Sequence, residues 1–142
     1  MTIAAVRIAG QAKLNRDVIE TLDRLRVKRK YACVIIPEDK KEIVGMVKKM
    51  KDFVAYGEIS DEILTKLIEK RAISLEKGKK VDVKKAVELL KSGENKDKLA
   101  IKPFFRLHPP RGGIDSKIHF GKKKGVLGDN GKDINKLIDR ML

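Results

Sequence analysis

Apolar residues recur along the first part of the chain at two alternating spacings, one belonging to strands and one to helices. Thr2–Ile8 is β-branched and apolar and predicts a strand. Val18, Ile19, Leu22 and Leu25 then fall on one face of a helix over about Arg16–Arg26, with Asn15 placed to cap it. Tyr31–Ile36 predicts a second strand, ended by Pro37. Asp39 and Glu42 have capping-box spacing ahead of a helix that buries Ile43, Val44, Met46, Val47 and Met50 and turns Lys48, Lys49 and Lys51 outward. Gly45 inside that helix costs about 1 kcal/mol relative to Ala, and its presence predicts close packing there. Phe53–Ile59 gives a third strand, interrupted by Gly57. The order is β-α-β-α-β: two helices cover one face of a three-stranded sheet, and the other face is left to solvent, to a bound partner or to the rest of the chain.

The pattern then changes. Ser60 caps a helix whose apolar stripe is Ile63, Leu64, Leu67 and Ile68, and Asp82 caps another with Val83, Ala86, Val87 and Leu90 inward. Residues 103–131 are broken by Pro103, Pro109, Pro110 and six glycines into a stretch that predicts no long helix and reads as a functional loop. An amphipathic helix over about Lys132–Met141 follows, with Ile134, Leu137, Ile138 and Met141 on one face. The chain thus divides into residues 1–58, a core domain, and residues 59–142, a helical and loop-rich extension packed on it.

Charge sharpens this picture. Among 142 residues, 34 Lys and Arg stand against 20 Asp and Glu, a net charge of +14. Such an excess attracts polyanions, nucleic acid first and an anionic membrane surface second. It is uneven: residues 1–57 carry +6, residues 58–103 carry +3 and residues 104–142 carry +5, so the two ends hold most of the attraction. No basic n-region with an apolar run marks a signal peptide, and no stretch of roughly 20 apolar residues could span a bilayer. The single cysteine, Cys33, excludes an internal disulfide and a thiolate metal cage, and its apolar neighbours predict a buried, inert thiol in a reducing cytoplasm.

Catalytic constellations are scarce. His108 and His119 have no Cys or carboxylate at metal-ligand spacing, no serine sits in a nucleophile elbow, and Gly121–Gly125 lacks the spacing and hydroxyl of a phosphate-cradling loop. The chain is therefore read as no enzyme, with no cofactor, metal or small-molecule substrate. What stands out instead is basic. Arg24, Arg26, Lys28, Arg29 and Lys30 close the first helix, although cations there also complement the helix dipole. Arg106, Arg111, Gly112, Gly113, Lys117, His119, Lys122, Lys123 and Lys124 lie in the glycine-rich loop. Glycines beside Arg and Lys let backbone amides approach a phosphate while the charged heads neutralise it. Arg111, between Pro-Pro and Gly-Gly, presents its fork from a constrained turn. With no aromatic stacking strand of the RRM type, shape and phosphates are expected to outweigh base stacking.

These residues resemble the L-thirty family of large-subunit ribosomal proteins in its archaeal form, whose eukaryotic counterpart is called L-seven. The matching stretches are Thr21-Leu22 through Leu25-Arg26-Val27, Gly45-Met46-Val47 and Phe53-Val54-Ala55-Tyr56-Gly57 in the first part. In the second they are Pro110-Arg111-Gly112-Gly113, His119-Phe120, Gly128-Asp129 and Ile134 through Met141. The resemblance implies an α+β fold: a ferredoxin-related β-α-β-α-β core with a three-stranded antiparallel sheet, first strand central, plus the C-terminal extension. Periodicity alone would have allowed parallel strands joined by helical crossovers. It also implies a cytoplasmic ribosomal constituent that binds large-subunit rRNA (23S-type) near 5S rRNA, beside neighbouring large-subunit proteins and away from membranes. Carried onto this sequence, the family's basic first loop falls on Lys13 and Arg16, its basic helix end on Arg26, Arg29 and Lys30, and its Pro-Arg-Gly-Gly loop on Arg111 to Gly113.

Two rival readings remain at this level. A ferredoxin-like acyl-phosphate-hydrolysing module would need a phosphate loop after the first strand, where Gly10–Asn15 supplies Lys13 and Asn15 without a partner. A general single-strand RNA chaperone would bind unrelated RNAs equally.

Overall fold

The first strand lies at the centre of the sheet. In a computed structural model, which describes residues 2–8, 15–37, 40–71, 84, 87, 88, 104–111, 116–119 and 125–142, β1 (Thr2–Arg7) is flanked by β2 (Ala32–Pro37) and β3 (Val54–Glu58), both antiparallel to it. Ala4 pairs with Ile35 on one side and with Gly57 on the other, and the β1–β3 ladder continues through Ile59 N donating to Thr2 O at 3.0 Å.

The sheet does not stop at three strands, which corrects the sequence expectation. Outside β2 the two-residue β4 (Phe105–Arg106) pairs antiparallel, Ala32 with Arg106 and Cys33 with Phe105. Outside β3, β6 (Gly125–Asp129) runs parallel, Ala55 with Gly128 and Tyr56 with Asp129. A further strand, β5 (Ser116–His119), joins through β6, giving the order β4-β2-β1-β3-β6-β5 and a mixed sheet. The segment read as loop therefore closes both open edges of the core sheet. Unpaired edge amides and carbonyls are a liability in water, and short, irregular strands of this kind are enough to satisfy them.

Both faces of the sheet are buried. α1 (Arg16–Arg24) and α2 (Lys41–Lys49) cover one, where Ala5, Val34, Ile36 and Val54 meet Leu22, Leu25 and Val47. α3 (Asp61–Arg71) and α4 (Ile134–Met141) cover the other, where Ala4, Val6, Cys33, Ile35 and Ala55 meet Leu64, Leu67, Ile68, Ile134, Leu137, Ile138 and Met141. Alternate residues of each strand serve alternate cores, which is why Ala32–Ile36 is apolar without a break. Phe105 and Leu107 join the second core, and the helical Val87 packs against it. The face left open by the sequence reading is thus taken by the rest of the chain.

Helix ends and helix packing follow the sequence with two exceptions, both in α2. The Asn15 side chain accepts from Asp17 N at 3.3 Å, and Ser60 Oγ accepts from Ile63 N at 3.4 Å, so both caps form as expected. At α2, however, Lys40 occupies the N-cap position with no side-chain cap bond among the described residues, and Asp39 lies outside them. Gly45 does not pack closely: a Cβ built there would meet nothing within 4 Å. Of the helix expected after Asp82, only Lys84, Val87 and Glu88 fall within the described residues, and all three are helical. A 3-10 turn, Gly131–Asp133, leads into α4.

Candidate nucleic-acid interface

The end of α1 builds a strongly basic surface. Val27 N donates to Leu22 O at 3.1 Å and Arg26 N to Asp23 O at 3.0 Å, the paired bonds of a Schellman turn. That turn puts Arg26 in the left-handed region at φ +68°, a place where glycine is usual. The carbonyls of Thr21, Leu22 and Asp23 are therefore satisfied by backbone amides. The cations beyond them are not needed as caps, which weakens the purely structural account of the cluster.

The loop from Arg26 to Tyr31 is held from beneath by Arg7. Its side chain, fully buried at the end of β1, donates through Nη1 to Val27 O at 3.0 Å and Lys28 O at 2.7 Å. Burial lowers its pKa and the carboxylate of Asp23 opposes that shift, but a guanidinium starts far above neutrality and stays charged. The loop closes at Tyr31, also left-handed at φ +66°, whose N–H donates to Arg7 O at 2.7 Å and whose carbonyl accepts from Leu107 N at 3.1 Å. Lys30 lies 5.1 Å from the Tyr31 ring centroid.

Leu107 directly follows β4, the strand that brings a further cation to the cleft. Because residues i and i+2 of a strand share a face, Phe105 enters the core while Phe104 and Arg106 point the other way. Arg106 stands opposite Ala32 and lies 5.5 Å from the Phe104 ring centroid. Arg26, Lys28, Arg29, Ala32, Phe104 and Arg106 together line a cleft of about 280 Å³. Arg24 nearby is neutralised by Glu20 at 2.8 Å. By contrast, among the described residues no carboxylate pairs with Arg26, Arg29 or Arg106.

The expected site residues divide accordingly. Arg26, Arg29 and Arg106 converge on the cleft, and Lys30 borders it in the same loop. Arg16 is at the opposite end of α1, about 15 Å of helix rise away, so it serves a separate surface. Arg111 is exposed at the end of α4, where its N–H donates to Arg140 O and Arg140 Nε donates to Arg111 O, each at 3.0 Å. From Arg106 the backbone reaches it in at most about 18 Å. Lys117 and His119 lie in β5. Lys13, Gly112, Gly113, Lys122, Lys123 and Lys124 fall outside the described residues. Phe104, Lys28 and the supporting Arg7 were not among the expected site residues. The available signal for Arg7 was an arginine inside an otherwise apolar strand, and for Phe104 an aromatic in register with Arg106 across the inward Phe105.

Nothing in the described residues supports chemistry on a substrate. No group of three or more His, Cys, Asp or Glu could hold a metal there, and no described helix is long and apolar enough to cross a membrane. Cys33 is buried, and burial pushes its thiol pKa up to about 12, so it is neither nucleophile nor ligand near neutral pH.

The fold is that of a basic α+β protein whose mixed sheet carries a cationic cleft. The family model described as "Ribosomal protein L30p/L7e" matches residues 3–54. Proteins named "Large ribosomal subunit protein uL30" match along nearly the whole chain. One from Desulfurococcus amylolyticus is 40% identical over 98% of this chain and 97% of its own, and one from Methanococcus maripaludis is 40% identical over 100% of both. That of Archaeoglobus fulgidus is 37% identical over 97% and 98%. This chain belongs to the ribosomal protein L30p/L7e family, structural proteins rather than enzymes, and its relatives here are archaeal.

Proposed function

We propose that this chain is a structural constituent of the large ribosomal subunit that binds 23S-type rRNA close to 5S rRNA and stabilises its fold during assembly and translation in the cytoplasm. The observation that carries this reading is the convergence of Arg26, Arg29 and Arg106 on one cleft without a pairing carboxylate among the described residues. Unpaired guanidiniums held together against self-repulsion call for an anion, and packed rRNA phosphates supply it. Lys30 extends this surface. Arg111, at the end of α4, is proposed as a second contact, together with Gly112 and Gly113, which lie outside the described residues. Arg16 at the start of α1 and the β5 residues Lys117 and His119 belong to other surfaces and are proposed as further rRNA contacts, as are Lys13, Lys122, Lys123 and Lys124, which lie outside the described residues. Neighbouring large-subunit proteins complete the surroundings.

In this reading residues 1–58 are the ferredoxin-related rRNA-binding core domain. Residues 59–142 are an extension that packs on it and contributes Arg106 and Arg111. The test is binding of the purified full chain to 23S-type rRNA fragments as salt is raised from about 50 to 200 mM, with an unrelated RNA as competitor. About 6–10 phosphate contacts predict log K falling by roughly 0.7–0.9 per contact against log salt. Preference for the rRNA fragment together with that slope supports the reading. Equal affinity for the competitor would favour a general RNA chaperone, and a salt-insensitive affinity would overturn the electrostatic account.

A further inference from the structure

The cleft contains more than phosphate needs. A phosphate site requires cations and amides, yet this one also exposes the half-buried ring of Phe104 beside Ala32, with the Arg106 guanidinium over that ring at 5.5 Å. An aromatic face and a guanidinium plane are the two surfaces on which an unstacked base rests. At about 280 Å³ the space is base-sized, just below the range of roughly 300–1,000 Å³ that holds drug-sized ligands, and too small for a duplex. Arg26, Lys28 and Arg29 line the same space from the α1 side, where they would meet the phosphates flanking such a base.

We infer that the cleft between the α1–β2 loop and β4 is a subsite for a single unstacked RNA nucleotide, its base on the Phe104–Arg106 platform and its phosphates against Arg26 and Arg29. The inference rests on the rRNA-binding reading and specifies what that reading left open. Charge complementarity selects a polyanion, and the apolar platform selects one whose monomers carry an aromatic ring. The expectation that shape and phosphates outweigh base stacking is qualified at this one position. The platform is built before RNA arrives: β4 pairing fixes Arg106 opposite Ala32, and Arg7 with the Schellman turn fixes the loop facing it.

The chain has no tryptophan, so Phe104→Trp in the full-length protein places a lone emitter in the cleft. Its probes are a single-stranded uridine-rich octanucleotide carrying one adenosine, the duplex of the same strand, and inorganic polyphosphate. The expected result is quenching by the single strand but not by the duplex or polyphosphate at equal phosphate concentration. Wild type and Phe104→Leu then compare affinities by anisotropy of the labelled strand, with a loss of about 5- to 150-fold expected for the leucine, the range for one stacked base. Unaltered tryptophan emission while the strand binds, or equal affinities for wild type and Phe104→Leu, would overturn the nucleotide subsite and leave rRNA binding intact. No preference of the wild type for 23S-type rRNA over unrelated RNA would instead count against the wider reading. As a check free of substitutions, photocrosslinking wild type to the same strand with 4-thiouridine should label the peptide containing Phe104. Labelling only elsewhere would also overturn the subsite.

Discussion

The carbonyl oxygen of Gly131 lies in the space that a side chain on Gly57 would occupy. This contact joins β3 to the turn that starts α4, and bonds around it hold the two together. Asn130 N donates to Tyr56 O at 2.7 Å, while Asn135 accepts from Ser60 N at 2.8 Å and donates to Glu58 O at 3.1 Å. Gly57→Ala forces a methyl against backbone that cannot give way, so a loss of about 3 kcal/mol is expected, the upper end for overpacking. Gly131→Ala has open space for its Cβ and bears only the strain of φ +54°, so about 1 kcal/mol is expected. Urea unfolding of both variants checks the order, and equal losses would mean the approach of β3 to the turn is looser than described.

Gly45 has the opposite character. Mid-helix, with φ not in the left-handed region and nothing within 4 Å of a built Cβ, it gives up helix propensity for no contact among the described residues. Gly45→Ala should therefore stabilise the free protein by about 1 kcal/mol and raise its Tm by about 3 °C. Differential scanning calorimetry checks this, and a destabilised variant would show that α2 is crowded there after all.

Much of this architecture is written in local periodicity, and the parts that are not have physical reasons. The core β-α-β-α-β order, the Asn15 and Ser60 caps and the stripe of α4 are local properties of sequence. The sequence reading left the second sheet face open to solvent, a partner or the rest of the chain, although Ala32–Ile36 has no polar alternation, and it is the rest of the chain that covers it. Strand direction is a long-range property and leaves no periodic trace. β4 has two residues and β6 carries Gly125 and Gly128, so neither offers an apolar alternation to read. The basic cluster after α1 was plain in the sequence. Its juxtaposition with Phe104 and Arg106 was not, because β4 pairing across distant sequence makes it. Capping-box spacing does not fix which residue begins a helix: α2 starts after Lys40, and Asp39 lies outside the described residues.

Cys33 makes stability sensitive to alkali. Its thiol ordinarily titrates near 9.0 and is pushed up to about 12 by burial. Below pH 9 both folded and unfolded chains keep the proton, and the stability from that burial is fully present. Between about pH 9 and pH 12 the unfolded thiol ionises and the folded one resists, so stability falls by about 1.4 kcal/mol per pH unit. Tyr56, raised by burial and by Asp129, acts in the same direction, so the informative quantity is a difference. Cys33→Ala should lose about 1 kcal/mol at pH 8 through the small cavity yet show a shallower decline toward pH 11 than wild type. Parallel declines in urea midpoints would refute the assignment.

Arg26 sets stability against binding. At φ +68° it carries a strain that glycine would not, in a Schellman turn whose hydrogen bonds are all made by backbone. Arg26→Gly keeps those bonds and releases the strain, so the free protein should gain about 1 kcal/mol against urea. The same change removes a guanidinium from the cleft. Affinity for 23S-type rRNA should fall, and the slope of log K against log salt should shrink by about 0.7–0.9, the share of one phosphate contact. Arg24→Gly is the contrasting variant: Arg24 is inside α1 and paired with Glu20, so it should lose about 1 kcal/mol of stability and leave the slope nearly unchanged. Stability and affinity moving together in Arg26→Gly would show that the left-handed arginine is tolerated for the fold's sake. Their moving apart would show that the strained position is kept for the anion it meets.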